Sequence, residues 1–111
     1  MRKVTEQIAT AFYAGRAKSI GDTMTDGERV YLHGNLIAER IDPDSCTPHN
    51  LRLTLAGWNT PTTRERLNGI LEVFNVRLRY AQRDFDPHLL GLDDKADDEI
   101  ISADDWQYFS V

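Results

Sequence analysis

The chain has 111 residues, with 13 Lys+Arg, 18 Asp+Glu, a single Cys and 41% apolar side chains. That length holds one hydrophobic core; one Cys excludes an internal disulfide framework, and no apolar run is long enough to span a bilayer. With no signal segment at the start, the expected product is a soluble intracellular domain, and its formal net charge of −5 hides a split: residues 1–85 carry 12 basic and 10 acidic side chains, whereas residues 86–111 carry one basic (Lys95) and eight acidic.

Val4, Ile8, Ala11 and Phe12 recur at helical spacing and predict a first helix that stops near Gly15, with Arg16 and Lys18 at the negative end of its dipole. Ser19 to Asp26 reads as a loop by composition. Val30-Tyr31-Leu32 and Leu36-Ile37-Ala38 flank His33-Gly34-Asn35, which predicts a tight hairpin; one long strand bulged at Gly34 is the alternative. A second turn region follows at Asp42 to Asn50, and Leu51, Leu53 and Leu55 then alternate with Arg52, Thr54 and Ala56 as a half-buried strand.

A second helix starts after Gly57-Trp58-Asn59. Either Thr60 caps it with Pro61 in the first helical position, or Thr62 caps it with Glu65 three residues later. Leu67, Ile70 and Leu71 form its buried stripe, interrupted by Gly69, which would allow close approach of another element. Asn75 to Ala81 reads as a strand, with Val76, Leu78 and Tyr80 on one side and Arg77, Arg79 and Ala81 on the other. The expected fold is α+β. A small, mainly antiparallel sheet of three to four strands carries two helices on one face, within a compact domain over residues 1–85. Asp86-Pro87-His88 marks the boundary to an acidic C-terminal segment, residues 86–111, with an aromatic end. Its charge run, Asp93 to Glu99, resists folding by self-repulsion. A body this small is marginally stable, and a homodimer would relieve that.

The segments Tyr31 to Ala38 (YLHGNLIA) and Leu55 to Gly69 (LAGWNTPTTRERLNG) resemble a group of short uncharacterised tailed-bacteriophage proteins with YLHGNxIA and AGWxTxTTRERLNG motifs. The resemblance covers roughly residues 4–72 and implies a phage gene product acting in the host bacterial cytoplasm. The acidic end departs from the group's pattern and is expected to be particular to this chain.

No catalytic constellation stands out. His33, His49 and His88 lie in different elements, and the Cys46/His49 pair has C-x-x-H spacing without two further ligands. The expectation is no enzyme, no metal and no cofactor. The start of the second helix could hold an anion through Thr62, Thr63, Arg64 and Arg66, although capping alone accounts for the threonines. Arg77 and Arg79, with Arg52 on a neighbouring strand, would form a basic sheet face able to meet nucleic-acid backbone, or the acidic segment itself.

Ile100 to Phe109 mixes acids with large aromatics. Asp97, Asp98, Glu99, Asp104, Asp105, Trp106, Tyr108 and Phe109 make a candidate partner-binding surface, and Ile101, Trp106 and Phe109 could also pack the segment back on the domain. The leading expectation is a small, non-enzymatic phage accessory protein. It would bind and modulate, by inhibition, a host macromolecule such as a defence or nucleic-acid-processing protein, without membrane contact. The alternative is a small nucleic-acid-binding protein using Arg52, Thr62, Thr63, Arg64, Arg66, Arg77 and Arg79, with the acidic tail as competitor or recruiter.

Overall fold

The computed structural model describes residues 1–43, 48–93 and 98–111. Among these, two helices, α1 (Lys3–Tyr13) and α2 (Pro61–Val73), combine with nine strands: β1 (Lys18–Ile20), β2 (Thr23–Thr25), β3 (Arg29–Leu32), β4 (Asn35–Arg40), β5 (Leu51–Thr54), β6 (Leu78–Arg83), β7 (Asp86–Gly91), β8 (Asp98–Ile100) and β9 (Trp106–Phe109). They form a six-stranded sheet in the order β1-β2-β3-β4-β5-β9 and a three-stranded sheet in the order β6-β7-β8, antiparallel throughout.

The expectation of one sheet of three to four strands with two helices on one face is therefore overturned: the chain is mostly β, in two sheets. Two stretches account for the difference. Ser19 to Asp26, expected as a loop, contains the β1–β2 hairpin. Its fully buried residues are Thr23 and Thr25, and Ile20 alone packs an apolar side chain against the core, so it lacks an apolar stripe. The burial of the two threonines is satisfied by hydrogen bonds: the Thr25 hydroxyl donates to the Arg29 carbonyl (2.7 Å), and that of Thr23 accepts from Arg66 Nε (3.1 Å). Residues beyond 85 supply β7, β8 and β9, and the expected boundary at Asp86-Pro87-His88 falls inside β7.

The β3–β4 hairpin forms as expected. His33 and Gly34 both take positive φ (51° and 80°), which suits the right-handed twist of the paired strands. A bulge is present too, but in β4: Val30 faces Ala38 while Tyr31 faces Leu36. Ile37 is the extra residue, and consecutive Ile37 and Ala38 are both buried. β5 buries Leu51 and Leu53 as predicted, but Thr54, expected on the polar face, is buried as well; α2 uses Thr60 as its cap, with the Thr63 N–H donating to the Thr60 hydroxyl (3.2 Å) and Pro61 in the first turn.

Ile8 and Phe12 of α1, Val30, Ile37, Leu51 and Leu53 of the large sheet, Leu67, Ile70 and Leu71 of α2, and Tyr80 of β6 share one core. α1 has no basic residue in its last turn. Its carbonyl end is held by Arg40 of β4, which donates to Phe12 O (2.9 Å) and Tyr13 O (2.8 Å) and lies over the Phe12 and Phe74 rings, a role expected of Arg16 and Lys18. β6 starts three residues later than predicted, at Leu78, because Asn75 leaves the helix with φ 60°. The outer edge of β6 faces α2, where the Asn68 side chain stands in for a strand residue: its Nδ2 donates to Tyr80 O (3.0 Å) and its Oδ1 accepts from Tyr80 N (2.6 Å).

Candidate functional site: the groove between β8 and β9

β8 pairs with β7 through Leu89↔Glu99, and β9 pairs with β5 through Arg52↔Tyr108 and Thr54↔Trp106. The connection between them is pinned at four points. Ile101 N donates to Pro87 O (3.0 Å), Gly57 N to Ala103 O (2.8 Å), the Thr54 hydroxyl to Asp105 O (2.7 Å) and Asp105 N to Ser102 O (3.1 Å). Between the two strands lies a groove of about 300 Å³, lined by Leu89, Glu99, Ile100, Ile101, Ser102, Asp105, Trp106, Gln107 and Tyr108. Ile100 is 68% exposed and Tyr108 45%. Glu99, Asp104 and Asp105 have no ion-pair partner among the described residues.

Behind the groove the strand is held from below. Arg52 sits 4.1 Å from the centre of the Trp106 ring and donates from Nε to Glu39 Oε1 (2.9 Å), while Arg29 Nε donates to Glu39 Oε2 (2.6 Å). Burial pulls the Arg52 guanidinium down, but Glu39 and Tyr108 push it up by more. The Tyr80 hydroxyl donates to Gln107 Oε1 (2.9 Å), and burial raises the Tyr80 phenol far above its ordinary value, so it remains a donor.

Burial pushes the Glu39 carboxyl up, yet the bonds from Arg29 and Arg52 outweigh this and hold it below its ordinary 4.5. A carboxyl lowered in the fold stabilises above its unfolded value, and that contribution disappears as pH falls through the lower folded value. Wild-type protein is therefore expected to melt above Glu39→Gln at pH 7, with the gap closing as pH drops below 4.5. Parallel melting curves across that range would remove this cluster as a source of acid sensitivity.

The predicted acidic and aromatic residues are distributed unequally. Glu99, Asp105, Trp106 and Tyr108 line the groove, and Asp104 lies in the adjoining connection. Asp98 is turned away, toward Arg83 (2.9 Å) and His88 Nδ1 (2.6 Å). Phe109 is buried in the core, and Asp97 lies outside the described residues. Ile100 and Gln107 fall in the acid-and-aromatic stretch that the sequence marks, outside the set expected to bind a partner, and both line the groove; the alternation of Trp106 and Tyr108 with Gln107 and Phe109 is the signal that separates a wet side from a core side.

The arginine-rich set is not gathered on one face. Arg52 stands in the large sheet, Arg77 precedes β6 and Arg79 lies in it, and Arg64 and Arg66 belong to α2. Arg77 pairs with Asp93 (2.7 Å), which holds that carboxyl below the usual carboxylate range. Arg64 donates to Asn59 O (3.2 Å) and Oδ1 (2.6 Å), and Arg66, only 6% exposed, donates to Thr23 and Thr5. Thr62 is half-buried, and Thr63 is buried with its hydroxyl 2.9 Å from that of Thr60. Arg79 is exposed without a partner among the described residues.

Other concavities flank α2. One, about 340 Å³, is lined by residues of both sequence segments, including Leu32, His33, Ile37, Leu55, Trp58 and Thr60; Trp58 is 57% exposed. Another, about 880 Å³, runs along α2 and β6 to Phe85, which is 88% exposed at the β6–β7 turn. Among the described residues no three His, Cys, Asp or Glu side chains are placed to share a metal ion. Cys46 lies outside those residues, and His49 Nδ1 is 2.9 Å from the Ser110 hydroxyl. No described helix is long and apolar enough to cross a membrane.

No curated protein and no solved structure matches the chain. Residues 1–109 match the family described as Kyanoviridae Gp96 protein, a range that takes in β7, β8 and β9. The acidic end, expected to be particular to this chain, thus lies inside the matched range, and the chain belongs to the Kyanoviridae Gp96 family of phage proteins.

Proposed function

We propose that this phage protein is a non-enzymatic module that binds a host protein in the bacterial cytoplasm and modulates it through the β8–β9 surface. One observation carries the reading. Asp93 and Asp98 are tied to Arg77 and Arg83, whereas Glu99, Asp104 and Asp105 have no ion-pair partner among the described residues and lie beside exposed Ile100 and Tyr108. Acid next to exposed apolar surface, on pinned backbone, suits a partner that brings both cations and apolar side chains.

The test compares capture of host proteins from lysate by the intact chain and by a Glu99→Gln/Asp105→Asn/Tyr108→Ala variant whose circular dichroism matches wild type. A discrete host protein retained by wild type and lost by the variant is the expected result. The same protein held equally by both would place the contact elsewhere. Saturable binding of single- or double-stranded DNA at low salt, weakened by Arg79→Gln, would move the function to nucleic acid instead.

A further inference from the structure

We propose that the outer edge of β9 accepts an extended, basic segment of a partner protein as a seventh strand of the large sheet; the inference rests on the host-protein reading and names how the partner is held. β9 is the last strand of its sheet, and among the described residues its backbone pairs only with the β5 side. Successive side chains of a strand point to opposite faces, so a groove resting on one face touches alternate residues. Trp106, Gln107 and Tyr108 all line this groove, so it runs along the strand's edge, where main-chain N–H and C=O groups offer a partner a ladder.

The other edges are less open. β1 has three residues and starts on an exposed lysine, Lys18. β6 is paired at Tyr80 by Asn68. The β8 strand has three residues, one of them an aspartate held by Arg83 and His88.

Charge selects the occupant. Among the described residues the groove is lined by Glu99 and Asp105 and by no Lys or Arg, with Asp104 alongside. A second copy of the chain would bring the same carboxylates against these, and an acidic peptide would be repelled. A strand alternating Lys or Arg with apolar residues meets both the carboxylates and the Ile100 and Tyr108 side chains.

The probe is an eight-residue peptide alternating Val and Lys, titrated at low salt into the full chain carrying Trp58→Phe. Trp106 is then the only fluorophore of its type, and Trp58 lies outside the groove. Saturable binding with new exchange protection of the amides of residues 106–109 is expected. It should weaken roughly tenfold in Glu99→Gln/Asp105→Asn. It should vanish for a peptide N-methylated at alternate residues, and for a Val/Glu peptide. Equal binding of the N-methylated peptide would overturn strand addition while leaving an acidic contact surface in place. Absence of binding at millimolar peptide would overturn it too, and host capture would still be judged by its own variant. A dimer in sedimentation whose 106–109 amides are already protected would give the edge to a second copy.

Discussion

Arg66→Ala is expected to lower the thermal midpoint by about 10–15 °C at neutral pH. Arg66 projects from α2 into a buried polar seam, where it joins three elements: Nε donates to Thr23 of β2 (3.1 Å), and Nη1 to Thr5 of α1 (2.8 Å) and to Glu65 Oε1 (3.1 Å). Glu65 Oε1 also accepts from the Thr5 hydroxyl, while its Oε2 is buried with no hydrogen-bond partner among the described residues. Removing the arginine leaves that carboxylate without its cation and two buried hydroxyls short of a donor. Breaking a buried pair costs about 3–5 kcal/mol, and the partial exposure of Glu65 (24%) places this case near the lower end. Arg66→Met combined with Glu65→Gln removes both charges and should recover most of the loss, because a neutral seam has no stranded ion. A single variant that melts within 3 °C of wild type would mean that the seam carries little of the fold's stability.

Gly69→Ala is expected to destabilise by about 2 kcal/mol, although alanine is the better helix former by about 1 kcal/mol. A Cβ at residue 69 would stand 2.2 Å from Thr5 Cγ2 and 3.0 Å from Met1 Sδ. The Met1 side chain can swing away, but Thr5 is buried and branched and holds Glu65 and Arg66 through its hydroxyl. The sharper form of the test uses Thr5→Ser, which deletes Cγ2 and keeps the hydroxyl. In that background Gly69→Ala should be neutral or slightly stabilising in urea unfolding. An equal penalty in both backgrounds would show that the helices are not separated by this contact.

These two residues belong to the segment whose resemblance to phage proteins was legible at once, and the structure gives that segment a positioning role. Thr60 caps α2, Arg64 fixes Asn59, Arg66 ties α2 to α1 and β2, Asn68 closes the edge of β6, and Gly69 admits α1. Such residues look like a ligand site in sequence because threonines, arginines and an asparagine before a helix stripe also suit an anion. Only their three-dimensional partners separate the two uses.

What was legible elsewhere followed from local periodicity. α1, the β3–β4 hairpin, β5 and α2 each announce themselves through spacing or turn residues within a dozen positions. The β1–β2 hairpin did not, because its fully buried residues are threonines whose hydroxyls find partners on Arg29 and Arg66. The strands β7 to β9 did not, because the acids around them repel one another only until distant cations are brought up. Arg77 meets Asp93, and Arg83 meets Asp98. The same distance separates sequence from site. Glu99, Asp105, Trp106 and Tyr108 could be nominated as a set from composition, but Phe109 and Asp98 could not be removed from it without knowing that one fills the core and the other is paired.

The pairing of β5 with β9 sets an order of events during synthesis. β5 leaves the ribosome with one edge open, and the strand that closes it follows only after α2 and the whole of the small sheet. Until then Leu51 and Leu53, which end fully buried, belong to an incomplete sheet with an edge available to other nascent chains. Closing that long span is also the slowest kind of contact to form, since the ordering of the intervening chain precedes the reward of pairing. A chain interrupted before Trp106 would thus leave the β5 edge open, and the docking of β9 moves the free edge of the sheet from the leucine strand to one flanked by carboxylates.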